Sequence, residues 1–239
     1  MTKGIILAAG RGSRMGKLTD YQPKCLTKIN GKTLIEGQIE NFKKCGIDDI
    51  AVVTGYKREV ICAFGTQEFY NRNWSETQMV SSLECASAWL ENFRCVVTYS
   101  DIFFSSSAIK SLLESKNNIA ITYDPNWLDI WSRRFGDPLE DAESFRLSPE
   151  GEIMEIGLKA NTTEEINGQF MGLLAFSPIG WDIANKVRGQ NDSSTNRQQD
   201  MTSLLQQIIL ADITQIKALP YNGDWGEVDT ADDLLIYGQ

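Results

Sequence analysis

The chain has 239 residues, a formal net charge of −9, an apolar fraction of 42% and no histidine. That length suits one large α/β domain or two small ones, with enough apolar content for a substantial core. The acidic balance without a basic block argues against a nucleic-acid surface, and the missing histidine excludes mixed Cys/His zinc sites and histidine-based catalysis.

In chain order, residues 3–8 form a short apolar run that predicts a buried strand, and 33–45 an amphipathic helix. A strand at 51–54 leads into Gly55-Tyr56, and residues 78–91 read as one helix with Met79, Leu83, Ala86 and Leu90 along one face. Residues 95–99 form a strand ending at Ser100-Asp101, followed by a helix at 105–114 and a strand at 118–123. This β–α alternation predicts an α/β fold, a Rossmann-like and mostly parallel mixed sheet flanked by helices. In such sheets ligands sit beyond the carboxyl ends of the strands, where both the loop after the first strand and Asp101 fall.

The second half differs. Residues 124–149 are polar, aromatic and irregular, and 144–176 show strand character with a Pro-Glu-Gly turn at 149–151 that marks a hairpin. Residues 189–199 predict a polar, mobile loop, followed by a helix at 200–210, a strand at 215–219 and a final helix from about 230. With no internal repeat or low-complexity linker, one domain over 1–239 is expected, carrying a small β-rich insertion. The five cysteines, at 25, 45, 62, 85 and 95, are odd in number and lack C-x-x-C spacing, so no disulfide framework is read. The chain enters a strand at once, which leaves no room for a signal peptide, and no apolar run approaches a membrane span. The expectation is a cytoplasmic protein without a membrane partner; a homo-oligomer stays open.

The loop closing the first strand carries the chemistry. In Leu7-Ala8-Ala9-Gly10-Arg11-Gly12-Ser13-Arg14-Met15, followed by Pro23-Lys24, small residues let backbone N–H groups approach a phosphate. Two arginines and a lysine add charge and directed hydrogen bonds. It is not a P-loop, since no Gly-Lys-Ser/Thr follows, and the dinucleotide fingerprint fails at its third glycine. The string resembles the signature of the nucleotidyltransferase superfamily, L-x-A-G-x-G-x-R-[ML]…T…P-K, at Leu7, Ala9, Gly10, Gly12, Arg14, Met15, Thr19, Pro23 and Lys24.

The resemblance implies a GT-A-like fold, residues 1–123 as the nucleotide-binding half and 124–239 as the acceptor-binding half. It sets Leu7, Ala8, Ala9, Gly10, Arg11, Gly12, Ser13 and Arg14 against the nucleotide. Arg14 would hold the β and γ phosphates, and Lys24 would offset charge shifting toward pyrophosphate. It makes Asp101 a Mg²⁺ ligand, although an aspartate there could also cap the following helix. Ser100 departs from the glycine that relatives often carry before that aspartate. The stretch Trp225-Gly226-Glu227-Val228-Asp229 resembles the W-x-E-[VI]-D motif, which implies a second Mg²⁺ ligand in Asp229. Asp229 could also cap the last helix, alone or together with that role. Glu227, two residues away on a strand, would share its face and stand behind the metal ligands, and it is also a candidate acceptor contact.

A second resemblance points to a branch. Asn73 followed by Met79-Val80-Ser81-Ser82-Leu83 looks like a stretch of the phosphocholine cytidylyltransferases, which implies base or ribose contact near Gln78 and Ser82; a helix start with Ser75 or Thr77 as cap is the alternative. Lys159, in Glu155-Ile156-Gly157-Leu158-Lys159, matches a lysine that meets the acceptor's phosphate, or is an exposed hairpin lysine. Arg133, Arg134, Asp137, Glu140 and Asp141 cluster near Trp127 and Trp131, and the run from Asp137 to Glu143 resembles phosphonate and phosphoglutamine enzymes of this group. Trp127 and Arg134 are candidate acceptor contacts, since aromatic rings and carboxylates can hold an ammonium, or the charges pair among themselves.

The implied reaction joins CTP to a phosphorylated or phosphonate acceptor, of the phosphocholine, aminoethylphosphonate or phosphoglutamine type, with Mg²⁺. The CDP-linked product would decorate a surface glycan, as in capsular polysaccharide, or a lipid, or feed phosphonate metabolism. A sugar-1-phosphate nucleotidyltransferase using UTP, dTTP or GTP shares the loop, and a non-catalytic nucleotide-binding regulatory subunit is the other alternative.

Overall fold

The computed structural model describes residues 1–237. Continuous apolar runs such as Ile5-Ile6-Leu7-Ala8 and Ala51-Val52-Val53 are fully buried, as strands covered by helices on both faces must be. They build a seven-stranded sheet in the order Ile216–Pro220, Ile119–Asp124, Gln169–Phe176, Arg94–Tyr99, Thr2–Ala8, Ile50–Thr54, Gln67–Tyr70. Only Gln169–Phe176 runs antiparallel to its neighbours. One apolar cluster runs from Ile5 to Trp225 and draws on both halves of the chain.

The chain leaves Thr2–Ala8 for Ile50–Thr54 on one side and later returns to Arg94–Tyr99 on the other, with Leu7 opposite both Val53 and Tyr99. This reversal of strand order opens a crevice at the carboxyl ends of Thr2–Ala8 and Arg94–Tyr99. Helix Leu34–Lys44 packs beneath it. Its start is fixed by a capping box between Thr33 and Glu36, and it buries Leu34, Ile35, Gln38, Ile39 and Phe42.

Several elements depart from expectation. The helix predicted over 78–91 is two, Met79–Glu84 and Ser87–Leu90, because the Ala86 N–H closes a tighter turn onto the Leu83 carbonyl at 2.9 Å. Of the expected stripe Leu83, Ala86 and Leu90 are buried, but Met79 is only half-buried and Val80 takes its place in the core. The irregular stretch after 124 contains helix Trp127–Arg134, anchored by Trp127 and Trp131 one turn apart. Pro178–Arg188, unassigned from sequence, is a helix with Ser177 as cap and proline in its first turn. The 189–199 loop holds a short helix, Ser193–Arg197, and is tied down: the Gln78 N–H donates to the Arg197 carbonyl at 2.8 Å. The expected hairpin is present as Glu143–Leu147 and Ile153–Lys159, and the final helix spans Asp233–Tyr237. The five cysteines are free thiols. No helix of the described residues is long and apolar enough to cross a membrane.

Candidate active site

The loop after the first strand is shaped by close backbone packing. Gly12 has φ +74°, and a Cβ there would lie 2.7 Å from the Lys24 Cβ, so glycine lets the loop fold back over the lysine. Buried Thr19 closes the turn by donating to the Gly12 and Gly16 carbonyls, both at 3.2 Å. At Gly55 a side chain would strike the Ala9 carbonyl oxygen at 2.5 Å; instead the Tyr56 N–H donates to that carbonyl at 2.9 Å. Leu7, Ala8 and Ala9 are buried at the strand end, while Gly10 and Ser13 are exposed. Arg11 pairs with Asp20.

Three carboxylates meet this loop. Asp101 follows Arg94–Tyr99 and does not cap the next helix: the chain first forms a short strand, Ile102–Phe104, and Ser105 occupies the cap position of Ser106–Glu114. Ile102–Phe104 pairs antiparallel with Trp225–Glu227, setting Glu227 opposite Ile102, and the Val228 N–H donates to the Asp101 carbonyl at 2.9 Å. This ladder delivers the C-terminal carboxylates to Asp101. One oxygen each of Asp101, Glu227 and Asp229 lies within 4.8 Å of the others. Asp229 is not the helix cap either, since Asp233 accepts from the Asp229 and Thr230 N–H groups at 2.8 Å each.

Cations surround the cluster. The Lys24 ammonium lies 2.6 Å from Asp101 Oδ2 and 2.7 Å from Asp229 Oδ1, and Arg14 donates to Asp229 Oδ1 at 3.0 Å. Burial works against the Lys24 charge, yet Asp101 and Asp229 outweigh it and hold its pKa above the ordinary lysine value. Burial, then the charges of Asp229 and Asp101, pushes Glu227 well above the usual carboxylate range. Asp229 is also buried, but Lys24 and Arg14 hold its pKa down. The all-oxygen donor set suits a hard divalent cation, and Asp101 Oδ1, buried without a hydrogen-bond partner, is an atom such an ion would satisfy.

Beside the cluster opens a cleft of about 260 Å³, bordered by Arg14, Glu227 and Asp229 at one end. Its lining also includes Asp141, Glu143 and Asp200 with the rings of Trp131 and Phe170, and Asp141 lies close enough to Arg14 and Asp229 to feel their charges. Burial raises the pKa of both Asp141 and Glu143. Among the described residues lining the cleft, Arg14 is the one cation.

The structure thus brings together Arg14, Lys24, Asp101, Glu227 and Asp229, and reassigns others. Trp127 is not a cleft residue: it is 4% exposed, packed into the core against Trp131, which does line the cleft one turn away. Arg134 is not part of the cleft lining; its guanidinium is buried and binds Asp233 at 2.9 Å, Glu227 at 3.2 Å and Asp229 at 3.5 Å. Lys159 is exposed and does not line the cleft, because the strand register shifts between Ile156 and Lys159 around Gly157 at φ +79°. Ser82 is buried and accepts from Asn71 Nδ2 at 3.0 Å, while Gln78 stands at the start of its helix beside Met79 of the cleft. Sequence reasoning missed Glu143, Asp200 and Asp233. Asp200 carried a local signal as the cap of Met201–Ala211, where its side chain accepts from the Ser203 N–H.

The mixed sheet with a glycine-shaped loop at its switch point has the GT-A-like nucleotidyltransferase fold. The chain belongs to the MobA-like NTP transferase family, whose domain model matches residues 4–148. It is 34% identical to the CTP:phosphoglutamine cytidylyltransferase of Campylobacter jejuni, across 97% of each chain. It is 29% identical to the choline-phosphate cytidylyltransferase of Streptococcus pneumoniae, across 64% of this chain and 67% of that one. The inositol-1-phosphate CTP transferase of T. maritima superposes with a TM-score of 0.76 at 21% identity, covering 99% of this chain and 94% of that one.

Proposed function

We propose that the chain is a Mg²⁺-dependent cytidylyltransferase that moves CMP from CTP to a phosphorylated or phosphonate small molecule bearing an ammonium group. Phosphocholine, 2-aminoethylphosphonate and phosphoglutamine are of this type. The observation that carries the reading is the meeting of the Gly12 loop and Lys24 with Asp101, Glu227 and Asp229, next to a cleft whose lining adds further carboxylates and aromatic rings. The two cytidylyltransferase relatives support both the nucleotide and the acceptor class.

In this reaction an acceptor phosphate oxygen attacks the α-phosphorus, a new P–O bond forms, and the bond to the β-phosphate oxygen breaks. Pyrophosphate leaves with the electron pair. A phosphate monoester, with a second pKa of about 6, is already anionic near neutral pH, so the chain needs no general base, in keeping with its lack of histidine. Lys24 stays protonated between Asp101 and Asp229 and offsets negative charge as it moves to the leaving group. Arg14, held by Asp229 yet exposed, reaches the β and γ phosphates. Asp101, Glu227 and Asp229 would hold Mg²⁺, which when bound neutralises the triphosphate during in-line displacement. Arg134 fixes Glu227 and Asp229 from behind. Asp141, Glu143 and Asp200, with Trp131 and Phe170, complement the cationic end of the acceptor.

The test is pyrophosphate release with Mg²⁺, crossing ATP, CTP, GTP, UTP and dTTP against phosphocholine, 2-aminoethylphosphonate, phosphoglutamine and glucose-1-phosphate. Release with CTP and an ammonium-bearing acceptor is expected. Release with UTP or dTTP and the sugar phosphate would move the chain to the sugar branch. Nucleotide binding with no release across the panel would favour a regulatory role.

A further inference from the structure

Helix Leu34–Lys44 places one polar side chain among the apolar residues of its buried face. Gln38 is 1% exposed, beside Ile35, Ile39 and Phe42. A buried amide is unfavourable unless its donors are used, and both are: Nε2 donates to the Tyr99 carbonyl at 2.8 Å and to the Ile102 carbonyl at 2.6 Å. Those two carbonyls bracket Ser100-Asp101. Only the NH₂ end of the amide can face two carbonyl oxygens, so its orientation is fixed by chemistry, and Oε1 is left buried with no hydrogen-bond partner. One turn on, Asn41 Nδ2 donates to the Phe104 carbonyl at 2.6 Å, beyond the turn that carries Asp101.

We propose that Gln38 is a positioning residue for the carboxylate cluster. By gripping the carbonyls on both sides of Ser100-Asp101 it sets the direction in which the Asp101 side chain leaves the turn. Because Ile102 pairs with Glu227, the same grip sets where Glu227 stands relative to Asp101. An apolar residue at 38 would fill the space but remove both amide donors, leaving the Tyr99 carbonyl only the Thr98 hydroxyl at 3.0 Å and loosening the turn itself. This proposal rests on the reading of Asp101, Glu227 and Asp229 as the metal-holding set.

The experiment measures Mn²⁺ binding by the electron paramagnetic resonance signal of the free ion, in the presence of the non-cleavable analogue α,β-methylene-CTP. It compares wild type, Gln38→Met, Gln38→Glu, Asn41→Leu and Asp101→Asn. Gln38→Met keeps chain length and removes both donors; Gln38→Glu keeps the shape and places an acceptor where the NH₂ stood. Either Gln38 variant is expected to weaken Mn²⁺ binding by about 10-fold or more, the usual effect of losing a group that orients a metal ligand. The Mg²⁺ concentration for half-maximal turnover should rise by a similar factor, with kcat at saturating Mg²⁺ largely recovered. Asn41→Leu, on the same helix, should melt earlier yet bind Mn²⁺ like wild type. Should Gln38→Met fail to fold, Gln38→Glu decides. A Gln38 variant that melts earlier but binds Mn²⁺ like wild type would overturn the proposal. If Asp101→Asn itself binds Mn²⁺ normally, the metal reading is overturned, and the proposal with it.

Discussion

Replacing Lys24 with methionine removes one charge and keeps the aliphatic stem that packs under Gly12. The lost ammonium stands 2.6 Å from Asp101 Oδ2 and 2.7 Å from Asp229 Oδ1, and its own side chain is 10% exposed. At an effective dielectric constant of about 20, opposite charges about 4 Å apart attract by about 4 kcal/mol, so two such partners represent a gross attraction of about 8 kcal/mol. Desolvation of the lysine offsets much of that, and breaking a buried pair by removing one partner costs a net of about 3–5 kcal/mol. Urea unfolding near neutral pH with EDTA should show a loss of that order in Lys24→Met. The loss should shrink in acid. Asp229 has a depressed pKa in the fold, so its pairing stabilises above the ordinary carboxylate pKa and vanishes as pH falls through the folded value. Millimolar Mg²⁺ should restore part of the stability, because a divalent cation at the carboxylates replaces the missing positive charge. Turnover should not return with it: loss of a preorganised donor to developing charge costs about 10²–10³-fold in kcat. Wild-type stability of Lys24→Met in EDTA would refute the buried ion pairs, and wild-type turnover would remove Lys24 from the chemistry.

Other consequences are open to measurement. Asp101→Asn and Asp229→Asn should each fold, by circular dichroism, and lose about 10²-fold or more in turnover; full activity in either would take that residue out of the site. Asp141→Asn, Glu143→Gln and Asp200→Asn should each raise KM for the acceptor while changing KM for CTP by less than about two-fold, the pattern of lost ground-state binding; a shift in the CTP value instead would put the acceptor elsewhere. Glu227 has a raised pKa, so below that value a cation entering the cluster must displace its proton. Mn²⁺ affinity should therefore climb with pH from the ordinary carboxylate range upward, by up to about 10-fold per unit for one proton released, and a profile flat throughout would show that no proton leaves Glu227 when the ion binds.

What the sequence reveals depends on whether the informative residues are neighbours in the chain. Buried parallel strands announce themselves, since Ile5-Ile6-Leu7 and Val96-Val97 need no partner to be recognised as apolar on both faces. Elements with few apolar anchors do not. Trp127–Arg134 is held by a pair of tryptophans in a polar stretch, and the pair reads equally as a binding surface until the core around it is known. The break after Glu84 is invisible because the apolar stripe continues through it unchanged.

The site divides along the same line. The loop from Leu7 to Lys24 is contiguous, and its glycines and cations carry their meaning locally. Arg14 and Asp229 are 215 positions apart, and nothing local says that they touch. Arg134 shows the limit most clearly: in sequence it is one charge in a solvated-looking run, whereas in the fold it is buried with Glu227, Asp229 and Asp233 as partners. A buried guanidinium without those carboxylates would be prohibitive, and the carboxylates packed together without cations would repel one another. Arg134, Arg14 and Lys24 are therefore what allows Asp101, Glu227 and Asp229 to approach within 4.8 Å before any metal is bound. On this argument the carboxylate cluster is preorganised by three cations from two distant segments, which is why its motif residues could be recognised singly while its geometry could not.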